Sequence, residues 1–168
     1  MRRTFCYAAT SVAVIAPDMH EQRAAQRPGY PMTKLSITAG PFSFEAELLH
    51  DVAPKTCEKF LTLLPYKERI IHVRWSGEGC WIPLGETDFG LGYENATSYP
   101  APGEFILYPG GYSETEILLA YGGVRFASKM GQLAGNHFMT ITKGRENLLA
   151  LGKKTLWDGA QDIVFARA

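Results

Sequence analysis

The sequence predicts a mainly β protein, an eight-stranded closed or nearly closed barrel capped by two short helices. Short runs of alternating polar and apolar residues recur along the chain, which is typical of half-buried strands. Only two segments show helical periodicity, too few to supply the crossovers of a parallel sheet. Seventeen glycines, ten prolines and many aromatic residues (nine Phe, eight Tyr and three Trp) favour short strands and turns over a helical bundle.

The first elements are predicted to be a β-hairpin and a helix. Residues 34–38 alternate, residues 39–41 form a turn sequence, and residues 42–49 alternate again. Pro54 suits a first helical turn, and the acidic Asp51 stands near the positive end of that helix. An apolar stripe at helical spacing then faces the core and comprises Cys57, Phe60, Leu61 and Leu64.

The remaining strands are predicted from the same alternation and from turn residues between them. They span residues 68–75, 79–84, 104–108, 116–121, 137–143 and 161–167. Residues 85–103 read as a loop, and residues 145–151 as a short helix that Gly152 stops. The two helices are expected to cover the open ends of the barrel and to bury the pairs Phe60/Leu61 and Leu148/Leu149.

Residues 1–31 differ in composition from the rest and are predicted to be an N-terminal extension, ahead of a globular domain over residues 32–168. Two arginines before an apolar stretch resemble the start of a secretory signal, but polar residues interrupt that stretch. A disordered extension, or a chain whose natural start is Met32, explains the same residues.

Composition excludes several classes of partner. Seventeen Lys+Arg balance seventeen Asp+Glu, so no basic field attracts nucleic acid or an anionic membrane. No apolar run approaches the about 18 residues of a membrane-spanning helix. Three scattered cysteines suit neither a disulfide framework nor a thiolate zinc site, and Cys57 and Cys80 are predicted core residues. We expect a cytoplasmic protein without metal or cofactor, which binds a small molecule or a peptide; a homo-oligomer is an open alternative.

The leading candidate site lies within eight positions, which hold Arg74, Trp75, Glu78 and Trp81 on two closely joined predicted strands. An arginine beside indole rings offers a planar, permanently charged fork to a carboxylate or an amide oxygen, with apolar walls around it. Glu78 could act as a general base or as a hydrogen-bond acceptor. An arginine–glutamate ion pair beside two buried tryptophans explains the same residues.

Further candidates flank this site in the sequence. Four residues near Pro-Gly and Gly-Gly turns can add a wall and a second cation to a barrel mouth: Tyr108, Tyr121, Arg125 and Phe126. Tyrosines at strand ends also commonly bury the ring and keep the hydroxyl in water. His72 and His137 could titrate near neutral pH, although each is equally explained as a hydrogen-bonded or exposed residue.

Residues 51–60 read DVAPKTCEKF and resemble the first helix of cyclophilins, which commonly reads A-P-K-T-x-E-x-F. The order of elements around this helix fits the same family. The resemblance implies a cyclophilin-like eight-stranded barrel over residues 33–168. It also implies that Arg74 stands near the catalytic arginine of these peptidyl-prolyl isomerases, whose role is to polarise the prolyl amide.

The chain departs from cyclophilins where they line the proline pocket. Residues 75–84 read WSGEGCWIPL and lack the glutamine and the two phenylalanines with which cyclophilins line that pocket. Residues 156–160 read LWDGA and lack the histidine that follows a similar segment late in cyclophilins. Residues 74–78 read RWSGE and residues 108–110 read YPG. In these two segments the chain is more similar to small bacterial and archaeal cyclophilin-like proteins of uncharacterised function. That resemblance implies the barrel and leaves the substrate open.

Three functions remain open on the sequence. The first is the binding of a small carboxylate- or amide-containing ligand at the barrel mouth, through Arg74 with Trp75 and Trp81 as walls. The second is catalysis through Arg74 and Glu78, as a peptidyl-prolyl isomerase or as a hydrolase or isomerase of small amides. The third is an oligomeric accessory subunit that associates through exposed aromatic residues.

Overall fold

A computed structural model describes residues 32–168, and the extension predicted for residues 1–31 lies outside the described residues. The long strands are β1 (Lys34–Ala39), β2 (Phe42–Leu48), β3 (Tyr66–His72), β4 (Gly77–Pro83), β6 (Glu104–Tyr108), β7 (Glu116–Val124), β10 (Gly135–Lys143) and β11 (Gln161–Arg167). Three two-residue strands are β5 (Ala96–Thr97), β8 (Ala127–Ser128) and β9 (Gly131–Gln132). The helices are α1 (Pro54–Leu61) and α2 (Leu148–Trp157), and a 3-10 turn at Arg145–Asn147 precedes α2.

The eight long strands form one closed antiparallel sheet. Their order is β2-β1-β11-β3-β4-β7-β6-β10, and β10 pairs with β2 to complete the ring. Closure leaves no long strand with an unpaired edge, which is how barrels avoid edge-to-edge association. The predicted fold class, an eight-stranded barrel with two helices, is therefore confirmed.

Aromatic rings fill the inside of the barrel. The ring centroid of Phe60, on α1, lies 5.1 Å from that of Phe138 and 5.2 Å from that of Phe165. Phe105 contacts Phe165 at 5.6 Å, and all four side chains are fully buried. Edge-on and tilted contacts of this kind add to the hydrophobic gain of burial. The interior is thus a packed core.

Helix α1 starts at Pro54 as predicted, but a residue from a distant loop caps it. The Thr56 N–H donates to Oε1 of Glu94 at 2.5 Å, and the predicted acidic partner Asp51 lies outside the first helical turn. A carboxylate is favourable at this end of a helix because the first N–H groups have no intrahelical acceptor. The helix buries Cys57, as predicted, and Cys80 is buried on β4.

Helix α2 runs through the glycine that was predicted to stop it. Gly152 lies inside the helix because its missing side chain makes room for the Tyr121 ring. The buried face consists of Leu148, Leu151, Gly152 and Thr155. Leu149, predicted to be buried beside Leu148, is 50% exposed, since helical spacing turns it away from that face.

The strand predicted for residues 68–75 ends early, at His72. Gly77 adopts a positive φ of 88° and begins β4 two residues ahead of the predicted start. Residues 73–76 consequently form a loop, and Arg74 belongs to this loop rather than to a strand face. Neither helix in residues 32–168 is long and apolar enough to cross a membrane.

We predict that Gly152→Ala destabilises the protein although it removes a glycine from a helix. An added Cβ would lie 2.5 Å from Tyr121 ring atoms. Overpacking of a core costs about 1–3 kcal/mol, against the about 1 kcal/mol that alanine gains over glycine in a helix. Urea unfolding should show a lower free energy of unfolding. Gly92→Ala, whose Cβ meets nothing within 4 Å, is the matched control and should be neutral; a stabilised Gly152→Ala variant would contradict the packing argument.

Candidate functional site

A second hydrophobic cluster covers the outer face of β4, β6 and β7. Along β7, Ile117 and Leu119 belong to the barrel interior, while Leu118 belongs to the outer cluster. Alternate residues of a strand point to opposite faces, so these strands are apolar on both sides. The outer cluster comprises Val73, Ile106, Tyr108, Leu118, Phe126 and Leu133, with Trp81 and Val124 packed against it.

A cleft of about 440 Å³ opens beside the outer cluster. Its walls come from the end of β3 and the following loop, from β4, from the start of β7 and from β8. The lining residues are Ile71, His72, Val73, Arg74, Trp75, Ser76, Trp81, Pro83, Ser113, Glu114, Glu116, Ala127, Ser128 and Lys129. We call it the Arg74 cleft. It lies on the outer wall of the barrel and not at the mouth where the sequence analysis located the ligand, because Trp81 packs against the outer cluster.

Three of the four leading candidates meet in this cleft. Arg74 and Trp75 are exposed on its rim, Trp75 to 59%, and Trp81 forms part of its half-buried wall. Arg74 has no hydrogen bond or ion pair with any residue in the range 32–168. Its guanidinium therefore keeps all its donors for water or for a ligand.

Ser76 holds the two sides of the cleft together. Its hydroxyl donates to the Ala127 carbonyl at 3.0 Å and accepts from the Ala127 N–H at 3.1 Å. Its own carbonyl accepts from the Arg125 N–H at 3.0 Å. These three bonds join the loop of residues 73–76 to the β8–β9 hairpin. The position of Arg74 thus depends on a side chain that is itself 3% exposed.

The cleft contains a buried carboxyl group that the sequence analysis missed. Glu116, the first residue of β7, is 6% exposed. Burial, reinforced by the neighbouring Glu114 carboxylate, raises the pKa of Glu116 from its usual 4.5 to about 8. Glu116 is therefore largely protonated at neutral pH. The lining also contains the basic residues Arg74 and Lys129 and the acidic residue Glu114.

Glu78, the fourth leading candidate, lies outside the Arg74 cleft. Its Oε2 accepts a hydrogen bond from the Gly123 N–H at 2.8 Å, and the carboxylate packs against Gly122. This contact holds the Glu78 side chain, on β4, against β7 at the register shift between Gly77 and Gly79. The described residues contain no Arg74–Glu78 ion pair, and an acid–base role of Glu78 stays a prediction.

His72 and Tyr121 form a hydrogen-bonded pair next to the cleft. The His72 Nε2 lies 2.9 Å from the Tyr121 hydroxyl, and Nδ1 lies 2.6 Å from the Val73 carbonyl. Both ring nitrogens are engaged, although His72 also contributes to the lining. Burial raises the pKa of Tyr121. The pair stabilises the loop that carries Arg74.

Tyr108 is buried in the outer cluster and does not line the cleft. Its hydroxyl accepts from the N–H groups of Tyr112 and Ser113 at 3.1 and 3.3 Å. It thereby orders the β6–β7 connection, which contributes Ser113 to the lining. Tyr108 thus orders a loop beside the cleft, and its part in ligand binding stays a prediction.

The last two candidates lie elsewhere. Arg125 donates from Nε and an Nη to Oε1 of Gln132, in a neighbouring depression of about 430 Å³ that shares Trp75 with the cleft. His137 lies on β10, with its Nε2 2.9 Å from the Thr140 hydroxyl and its Nδ1 3.8 Å from Glu104. Burial lowers the pKa of His137, and Glu104 opposes that shift.

No sequence signal singled out Glu116, because an acidic residue at the head of a strand is normally exposed. It pairs with Pro83 of β4 on one side and with Tyr108 of β6 on the other, and it is 6% exposed. Within the described residues no group of three or more His, Cys, Asp or Glu side chains could hold a metal ion.

Glu116 should make the stability of the protein depend on pH. Its pKa is higher in the folded than in the unfolded chain, so the folded chain keeps a proton that the unfolded chain releases. The contribution of Glu116 to the free energy of unfolding should be largest below pH 4.5 and should fall by up to about 1.4 kcal/mol per pH unit until pH 8, where the loss levels off.

Urea unfolding from pH 5 to 8 tests this dependence. The free energy of unfolding of Glu116→Gln is compared with that of wild type at each pH, because the contributions of the other titrating groups cancel in this difference. The gain from Glu116→Gln should grow with pH, whereas Glu146→Gln, at an exposed position outside the cleft, should change nothing. Parallel curves for Glu116→Gln and wild type would rule out a raised pKa.

Three solved structures share the fold of this chain. McbB, solved in complex with tryptophan, has a TM-score of 0.58 at 19% identity; the match covers 79% of this chain and 44% of McbB, so the chain spans less than half of that protein. The hypothetical protein AF2241 from Archaeoglobus fulgidus has a TM-score of 0.55 at 20% identity, with 82% of this chain and 95% of that chain covered.

The third structure is a cyclophilin-type peptidyl-prolyl cis-trans isomerase from Cryptosporidium parvum. Its TM-score is 0.53 at 17% identity, and the match covers 82% of this chain and 98% of the isomerase. The predicted cyclophilin-like barrel is thereby confirmed, and likeness at this identity concerns the fold alone. No curated protein matches the sequence. A family described as protein of unknown function (DUF3830) matches residues 35–167, almost the whole described chain, and the protein belongs to that family.

Proposed function

We propose that the protein binds a small carboxylate- or amide-containing ligand in the Arg74 cleft. The observation that carries the proposal is an arginine without a partner in residues 32–168, on the rim of a cleft with an indole wall. Most arginines on a protein surface that lack a partner face open solvent. Arg74 instead borders a concave space together with Trp81, which is the usual arrangement of a site that captures a planar anion.

The charges in the cleft favour an anionic group. Glu116 is largely neutral at pH 7 because its pKa is raised to about 8. Arg74 and Lys129 then face a single carboxylate, that of Glu114, so the lining carries a net positive charge. A carboxylate bound at Arg74 would gain charge-assisted hydrogen bonds beside a surface that excludes part of the water.

The likeness in fold to McbB supports a small-molecule ligand. McbB has been solved with tryptophan, a molecule that carries both a carboxylate and an aromatic ring. A ligand of that size is consistent with a cleft of about 440 Å³.

Catalysis is the alternative that shares the same arginine. Glu78 lies outside the cleft and binds the Gly123 N–H, so a hydrolase of small amides would lack the base assigned to it. A prolyl isomerase needs only an oriented donor and a desolvating wall, which Arg74 and Trp81 could supply. Turnover of a proline peptide that disappears in Arg74→Ala would favour this alternative over simple binding.

We predict that Arg74→Ala weakens the binding of 3-phenylpropionate by on the order of ten- to a hundredfold, because a hydrogen-bonded charge contact is lost. The corresponding amide should bind more weakly to wild type and lose less. Tryptophan fluorescence can report binding in a Trp157→Phe background, since Trp75 and Trp81 line the cleft and Trp157 does not.

Arg69→Ala is the matched control for this experiment. Arg69 is an exposed arginine of β3 that contacts Asp162 and the Ala160 carbonyl, outside the cleft. Its removal should leave the affinity unchanged. Equal affinities of wild type and Arg74→Ala for the carboxylate would refute the proposed function.

Self-association is a second candidate that one observation favours. Helix α2 exposes Leu149 to 50%, Leu156 to 46% and Trp157 to 79%, and the chain has no net charge to keep copies apart. If this face joins two copies, light scattering will give a dimer mass that falls to the monomer mass in Trp157→Lys. A monomer at all concentrations would exclude this candidate. Lys55→Ala, a change at an exposed position of α1, serves as the control.

A further inference from the structure

Glu116 is a buried carboxyl group that lacks a partner and borders the Arg74 cleft. The residue is 6% exposed, and among residues 32–168 its carboxyl group has neither a hydrogen bond nor an ion pair. No side-chain oxygen or nitrogen in the described chain is both fully enclosed and unsatisfied. The carboxyl oxygens must therefore be accessible from the cleft. Water or a polar group of a ligand can bond to them there.

The cleft offers groups for both signs of charge. The guanidinium of Arg74 and the carboxyl group of Glu116 belong to one lining, and neither has a hydrogen bond or an ion pair among residues 32–168. A ligand that satisfies both groups must itself carry an anionic and a cationic group.

We propose that the ligand is a zwitterion of the amino-acid type, whose carboxylate binds Arg74 and whose ammonium group binds the Glu116 carboxyl. This inference rests on the proposed function and adds a second point of recognition to it. An apolar side chain of the ligand would pack on Trp81. The same indole face can also attract the ammonium group.

Binding of such a ligand moves one proton. In the ligand-free protein at neutral pH, Glu116 holds a proton; beside an ammonium group the carboxylate form is favoured, and that proton passes to solvent. The ammonium group keeps its own three protons. His72, Glu114, Arg74 and Lys129 also line the cleft, so their contributions need to be separated from that of Glu116 by a variant.

Three probes of similar size distinguish the contact at Arg74 from the contact at Glu116. They are phenylalanine, 3-phenylpropionate, which lacks the ammonium group, and 2-phenylethylamine, which lacks the carboxylate. Isothermal titration of the full chain at pH 6.5, in buffers of different ionisation enthalpy, measures affinity and proton release together. We expect phenylalanine to bind most tightly, with release of up to one proton. The propionate should release none.

Glu116→Gln keeps the shape of the side chain and removes its charge. It should weaken phenylalanine binding by on the order of ten- to a hundredfold, abolish proton release and leave the affinity for 3-phenylpropionate unchanged. Glu114→Gln is the matched control, since it should leave most of the proton release in place. If Glu116→Gln fails to fold, proton release by the wild type is compared with that of Glu114→Gln and His72→Gln: release that persists in both supports Glu116, and release lost in either refutes it.

The outcomes distinguish this inference from the function on which it rests. If 3-phenylpropionate binds at least as tightly as phenylalanine, without proton release and still dependent on Arg74, the zwitterion is refuted and carboxylate binding stands. If Arg74→Ala weakens the binding of none of the probes, the proposed function fails and this inference fails with it.

Discussion

The packing of Phe60 between Phe138 and Phe165 decides where this barrel can interact with other molecules. Rings from α1, β10 and β11 meet inside the barrel at centroid distances of 5.1 and 5.2 Å, and no ligand can enter without displacing them. Removing a core phenylalanine typically costs about 3–5 kcal/mol, so the interior is committed to stability. Recognition is left to the outer surface and to the loops that border it.

The outer wall is prepared for that role by an unusual arrangement of β4, β6 and β7. These strands carry apolar side chains on both faces, and the connection between β7 and β10 covers the outer one through Phe126 and Leu133. Trp81 packs against the outer cluster at its boundary, and the Arg74 cleft opens beside it. The cleft therefore has apolar side chains of the outer cluster on one side and charged side chains on the other. Glu116 is buried at this boundary at a cost in stability, which is common for groups that serve binding.

The fold could be predicted from the sequence because alternation and turn residues report directly on which strand face is buried. The Pro54 start of α1 and the buried Cys57 followed from the same local rules. Helix α2 was misjudged, since the tertiary contact between Gly152 and Tyr121 overrides the local meaning of glycine. Of the candidate site, Arg74, Trp75 and Trp81 were brought together by short sequence separation alone.

The rest of the site depended on pairings between distant residues. Glu78 was grouped with Arg74 by proximity in sequence, but the register of β4 against β7 turns it toward Gly123. Glu116 follows Arg74 by more than forty positions and joins it only because β7 neighbours β4 in the sheet. Local sequence patterns do not show which strands are neighbours in the sheet. The burial of one carboxyl group by residues distant in sequence leaves no periodic signal.

The double hydrogen bond between Ser76 and Ala127 has a mechanical consequence. The hydroxyl and the carbonyl of Ser76 fasten the arginine loop to Ala127 and Arg125, so neither wall of the cleft can move without the other. A ligand must either fit the existing distance between the loop and the hairpin or displace both and break several hydrogen bonds. The cleft therefore selects ligands by size, and little conformational entropy is lost when a ligand of matching shape binds.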